Sequence, residues 1–215
     1  MMASADNDPR RSGTIWALNL DEPKPVITPG LPANFCRVGP ESTRALINAV
    51  GTDNSAEILR RFENGRRCYA AWVEGKLAAY GWVSPDEELI GELSLRIKLV
   101  PGEAYIWDCA TLPEFRNRRL YSALLVHIIG ELWSDGLCRA WIGTDLDNEA
   151  SQRGISNAGF HHVADLVVSR VLAMRLVCVQ GQPGVPAQVV AEARRAFLDD
   201  RDKVWLRAVS PAAPR

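Results

Sequence analysis

The sequence lacks most of the features that would place a chain in a metal, redox or membrane class. Its 5 cysteines are odd in number, spread from Cys36 to Cys178, and form no C-x-x-C pair. That argues against a zinc site or a redox dithiol, and small buried thiols in a reducing compartment are expected instead. Only 3 histidines occur, His127, His161 and His162. Adjacent histidines on a strand face opposite ways, and no partner stands at ligand spacing, so no metal is expected. Charge of one sign is also missing: 25 Lys and Arg stand against 26 Asp and Glu, for a net −1. Nothing global therefore draws the chain to nucleic acid or to an anionic membrane. No apolar run approaches the roughly 20 residues of a bilayer span. Met1 to Ser12 is polar and has no apolar leader region, so a secretory signal is not expected and a cytoplasmic location is. No internal repeat is visible.

What is present suits one globular domain of ordinary size: 215 residues, 47% apolar and 24% charged. Residues 1–12 read as a disordered tail. Residues 13–33 read as a short strand, Thr14 to Leu20, and a linker punctuated by Pro23, Pro25, Pro29 and Pro32. Residues 34–180 read as the core. It starts with a strand at Asn34 to Val38 and one helix or a broken pair from Pro40 to Phe62. A hairpin follows, with Cys68 to Val73 and Leu77 to Val83 joined by Glu74-Gly75-Lys76. Glu92 to Val100 alternates as a half-buried strand, and Tyr105 to Thr111 is a further strand. Leu120 to Asp135 is a helix stopped by Gly136, Ala140 to Leu146 a strand, and Asn148 to Ala158 a helix with Asp147 as its cap. Val163 to Val179 makes one long strand or two. Residues 181–215 add an amphipathic helix, Pro186 to Asp202, and a last strand from Lys203. The order predicts an α+β, or mixed α/β, fold around one sheet.

The richest stretch runs from Ala104 to Phe160. An apolar strand ends at Pro113. The basic turn Arg116-Asn117-Arg118-Arg119 follows, and a helix starts at once behind it. Backbone N–H groups at a helix N-terminus, with arginines beside them, suit a phosphate-sized anion; an ordinary solvated basic turn is the plainer alternative. Thr111-Leu112-Pro113-Glu114-Phe115-Arg116-Asn117-Arg118-Arg119-Leu120-Tyr121-Ser122-Ala123-Leu124-Leu125 resembles the first signature of the GCN5-related N-acetyltransferase superfamily. Asn148-Glu149-Ala150-Ser151 followed by Gly159-Phe160 resembles its second.

The resemblance implies a mostly antiparallel sheet, flanked by helices, that splays around acetyl-CoA. It implies acetyl transfer to an amine acceptor by direct attack, without metal or covalent intermediate. The backbone of Arg116, Asn117, Arg118, Arg119, Leu120, Tyr121 and Ser122 would hold the diphosphate. Cys109, Ala110 and Thr111 would pair with the pantetheine amides. Asn148 and Ser151 would meet the pantetheine arm or serve only as helix cap and turn. Arg119 and Tyr121 stand where the family has glycines, and Ile155 stands where many members have a tyrosine that protonates the leaving thiolate. The family also implies a bulge in the strand before the turn.

Two carboxylates are candidates for catalytic acid or base. Asp108 lies inside an apolar run, as a catalytic or substrate-binding acid or as a structural carboxylate satisfied by backbone or an arginine. Glu103 stands just before the strand, where a solvated loop residue is the alternative. A non-catalytic module that binds coenzyme A and a transferase of longer acyl groups remain as alternative functions. The Pro-rich segment and C-terminal helix are available to cover an acceptor cleft or to form a homodimer interface.

Overall fold

The computed structural model describes residues 10–50, 55–90, 95–171, 174–198 and 203–204. The strands are β1 (Arg10–Asn19), β2 (Asn34–Val38), β3 (Arg67–Val73), β4 (Lys76–Ser84), β5 (Glu87–Ile90), β6 (Leu95–Lys98), β7 (Glu103–Thr111), β8 (Arg139–Asp145), β9 (His161–Val171), β10 (Met174–Gly181) and β11 (Lys203–Val204). The helices are α1 (Thr43–Val50), α2 (Ser55–Glu63), α3 (Leu120–Ser134), α4 (Glu149–Asn157) and α5 (Ala187–Phe197). Nine strands form one sheet in the order β11-β10-β9-β1-β8-β7-β4-β3-β2, and β5 and β6 pair apart as a hairpin. Within the large sheet β7 runs parallel to β8 and β10 to β11, and the other pairs are antiparallel. The fold is thus mixed α+β, with helices on both faces of a mostly antiparallel sheet.

Strand alternation divides the core between the two faces. Leu120, Leu124, Leu125, Ile128, Ile129 and Leu132 of α3 are all fully buried, with Ile155 and Phe160, against Ile106, Ile142 and Val83 of the sheet. Each such side chain contributes about 1.5–3 kcal/mol of burial. The helix ends where the sequence indicates. Gly136 takes φ 81°, its N–H bonds to Trp133 O at 3.0 Å, and the Leu137 N–H bonds to Leu132 O at 3.0 Å, which satisfies carbonyls the last turn leaves open. On the opposite face α5 packs with Leu95, Ile97, Trp141 and Val177, and α1 and α2 cover Cys68, Tyr80 and Trp82.

Several boundaries differ from the sequence reading. Arg10, Arg11 and Ser12, expected in a disordered tail, pair with Ser169, Val168 and Val167, because β1 lies in mid-sheet between β8 and β9 and its ladder extends the strand. Residues 1–9 lie outside the described residues. Of the alternating run expected over Glu92 to Val100, Leu95–Lys98 pairs with Glu87–Ile90 apart from the large sheet, and residues 92–94 lie outside the described residues. Of the one long strand or two expected over Val163 to Val179 the described residues form two, and α5 ends at Phe197, with residues 199–202 outside the described residues. Helix α4 is capped by Asn148, not Asp147: Asn148 Oδ1 accepts from Ser151 N–H at 3.0 Å. The Pro-rich segment packs along α3 and α4. Gly30 N–H bonds to Arg118 O at 2.8 Å, Pro25 meets Gly159, and Lys24 lies over the Trp133 ring.

Glu103, for which a solvated loop position was the alternative to a catalytic role, is not in a loop. It is the first residue of β7, only 4% exposed, and both its oxygens accept from Arg195 Nη2 at 3.0 Å. Arg139 approaches it to 3.9 Å and also pairs with Glu192. The carboxylate ties α5 to the sheet. Replacing Glu103 with Ala leaves two arginines without their shared partner and should destabilise the fold by about 2 kcal/mol. A denaturant titration should read that loss, while activity per folded molecule stays unchanged.

Candidate active site

Strands β7 and β8 pair only from Glu103 to Ile106 against Arg139 to Ile142. Beyond that point they part. The cause is visible on the other side of β7. Tyr80 pairs with Ala110 and Trp82 with Trp107, so Asp108 and Cys109 together oppose Gly81 alone. This is a bulge, which bends a strand and breaks its phase. Asp108 takes φ 42°, a conformation that costs most residues about 1 kcal/mol or more. Gly81 makes the room: a Cβ there would stand 2.8 Å from Cys109 Sγ.

The gap opens into a cavity of about 570 Å³. Ile106 to Cys109 line one wall, Ile142 to Asp145 the other, and Tyr121, Asn148 and Ser151 close it from the α3 and α4 side. Gly13 and Thr14 of β1 contribute as well. Within the bulge, the Asp108 carboxylate pairs with Arg61 of α2. The Arg61 guanidinium lies 4.6 Å from the Trp107 ring centre and 5.2 Å from that of Trp82. Of the two readings of Asp108, the arginine-satisfied carboxylate is the contact observed, and the residue still lines the cavity. Burial, with Asp108 beside it, pushes the Cys109 thiol pKa up, so it is poorly suited to act as a thiolate nucleophile.

The turn at 116–119 contains two left-handed residues. Asn117 and Arg119 take φ 60° and 58°, the left-handed conformation that glycine adopts without cost. Arg119 is the residue before α3, and no side chain caps the helix. The first N–H groups of a helix have no intrahelical carbonyl, and here three exposed arginines stand beside them in the chain. Arg116 donates from Nε to Thr111 O at 3.2 Å, which pins the turn to the end of β7.

Tyr121, which stands where the resembled family has a glycine, turns its ring onto α4. Its ring lies against Gly154 of α4, where a Cβ would overlap the ring. Ser151 Oγ donates to its hydroxyl oxygen at 3.3 Å, and Ser122 Oγ donates to Gly154 O at 3.0 Å. Bulk on α3 is thus accommodated by its absence on α4.

A model of the acetyltransferase (GNAT) family matches residues 40–160. The chain belongs to the GNAT family. Its fold is similar to that of an acetyltransferase of the GNAT family from Colwellia psychrerythraea, with 15% identity over 80% of this chain and 56% of that one, at a TM-score of 0.52. It is also similar to a GCN5-related N-acetyltransferase from Sphaerobacter thermophilus, with 18% identity over 74% of this chain and 50% of that one, at 0.54. The chain therefore spans about half the length of these structures. No curated protein matches the sequence. The GNAT match begins at Pro40, so β1, which supplies Gly13 and Thr14 to the cavity, lies outside it.

The structure brings Asp108, Cys109, Tyr121, Asn148 and Ser151 to one cavity and sets the 116–119 turn at the N-terminus of α3. It leaves Glu103 at the far end of β7. Sequence reasoning missed Arg61 and the β1 residues, since both reach the site through pairings distant in sequence; the uncommon Asp108 was the one available signal for a basic partner. The histidines lie elsewhere: His161 Nε2 stands 2.8 Å from Glu22 and His162 Nε2 3.0 Å from Asp165. Among the described residues no His, Cys, Asp and Glu group gathers in a metal-binding arrangement, and no helix is long and apolar enough to cross a membrane.

The Tyr121–Gly154 fit can be tested by a double-mutant cycle. Gly154→Ala alone should cost about 1–3 kcal/mol through overlap with the ring. Adding Tyr121→Gly should recover most of that overlap, seen as a coupling energy in denaturant titrations.

Proposed function

We propose that this chain is an acetyl-CoA-dependent N-acetyltransferase that passes the acetyl group to an amine by direct attack. The observation that carries this reading is a juxtaposition. An uncapped helix N-terminus, entered through two left-handed residues, stands beside the strand edge freed where β7 leaves β8. A ligand with a diphosphate at one end and amides along its arm suits that pair of features.

Acetyl-CoA would supply a thioester carbonyl open to attack. In this reading the N–H groups of Arg116 through Ser122 hold the diphosphate, and the arginines add charge-assisted hydrogen bonds. Cys109, Ala110 and Thr111 align the pantetheine arm along the edge facing β8. Asn148 spends its Oδ1 on the α4 cap and keeps its amide hydrogens for the ligand. Arg61, stacked on two tryptophans, orients Asp108 on the bulge, where the carboxylate meets the acceptor amine. Leu89, Ile90, Leu166 and Phe197 also line the cavity and leave the acceptor an apolar wall. The rate comes chiefly from holding both reactants in place and polarising the carbonyl with a bulge N–H.

Calorimetric titration with acetyl-CoA tests the reading. The wild type should bind with micromolar affinity, and Arg116→Ala/Arg118→Ala should weaken binding about tenfold or more. Absence of binding by the wild type would overturn the proposal.

A further inference from the structure

Transfer of an acetyl group from a thioester leaves charge on sulfur. The amine lone pair forms the new C–N bond, the C–S bond breaks, and its electron pair stays on sulfur. The amine proton passes to water, and the released thiolate takes its proton from solvent. A thiolate forming between apolar strands such as those carrying Ile106 and Ile142 is poorly hydrated, so a fixed hydrogen-bond donor there lowers the barrier. The α4 residue Ile155 supplies none: it is fully buried in the apolar core.

We infer that the Tyr121 hydroxyl is the hydrogen-bond donor to the leaving sulfur, held for that role by Ser151 and Gly154. Three observations carry this. First, Tyr121 lines the cavity at the parting of β7 and β8. Second, Ser151 Oγ lies 3.3 Å from the Tyr121 oxygen; with the serine hydroxyl as donor in that pair, the phenol hydrogen is left for a ligand in the cavity. Third, the ring is fixed. It packs on Gly154, and the neighbouring Ser122 locks α3 to α4 through Gly154 O at 3.0 Å. A donor held by packing needs no reorganisation when charge develops. Burial, with Cys109 close by, pushes the Tyr121 pKa up, so the phenol keeps its proton and acts as a donor throughout. Tyr121 ends the cycle unchanged.

The inference rests on the acetyl-CoA reading and is tested with Tyr121→Phe, which keeps the ring on Gly154. The first readout is binding. Above the ordinary thiol pKa of about 8.5, the wild type should bind coenzyme A about tenfold more tightly than desulfo-coenzyme A. The variant should lose that preference while binding desulfo-coenzyme A as before. The second readout is turnover with an accepted amine. The variant's kcat should fall about tenfold with KM little changed, and the loss should shrink for thioesters whose leaving thiol is more acidic. A variant that retains both the preference and the kcat overturns this inference alone. A wild type that binds neither form of the cofactor overturns the acetyl-CoA reading and this inference with it.

Discussion

Strands β7 and β8 hold each other for four residue pairs and then separate, and the site depends on that separation. Strands that stayed paired would leave no cavity between them and no free backbone edge. The divergence is set on the far side of β7, where two residues face Gly81 and the strand turns out of phase. Side chains keep the distortion in place. Cys109 fills the space above Gly81. Asp108, in its left-handed conformation, is tied to Arg61, and Arg61 lies on Trp82 and Trp107. A pair only partly exposed and stacked on rings is held more firmly than an open surface pair. Helix α2 thereby supports the bulge that opens the site.

The turn at the start of α3 shows how a left-handed position can be filled without glycine. Arg119 adopts the left-handed angle that glycine takes without cost, and the strain of about 1 kcal/mol is borne by a turn anchored on two sides. Arg116 fastens it to Thr111, and Gly30 of the Pro-rich segment fastens it to the Arg118 carbonyl. Tyr121 is accommodated differently, by turning its ring onto α4, where Gly154 leaves space. The same pair of helices thus carries both an uncapped helix start and the Tyr121 hydroxyl that lines the cavity.

Much of this was legible in the sequence because it is local. The basic turn ahead of an apolar helix, the hairpin at Glu74-Gly75, the Gly136 stop and the Asn148 to Ser151 start all rest on residues within a few positions of one another. What was not legible depends on distant pairing. Glu103 reads as a loop carboxylate until α5 brings Arg195 beneath it. Arg61 reads as one exposed helix charge until β7 sets Asp108 against it. The alternation from Glu92 to Val100 marks a half-buried strand correctly in kind, but not that Leu95–Lys98 pairs with Glu87–Ile90 outside the large sheet. The central place of β1 has no local signal, since its neighbours lie about 130 and 150 residues away along the chain.

Amide hydrogen exchange on the full chain, with and without coenzyme A, addresses the central claim most directly. If the parted strands and the turn before α3 form one binding surface, coenzyme A should slow exchange together at Asn117 to Ser122 and at Cys109 to Thr111. It should leave β2 and the outer face of α5 unchanged. Protection confined to another surface, or protection at one of the two segments without the other, would contradict the account.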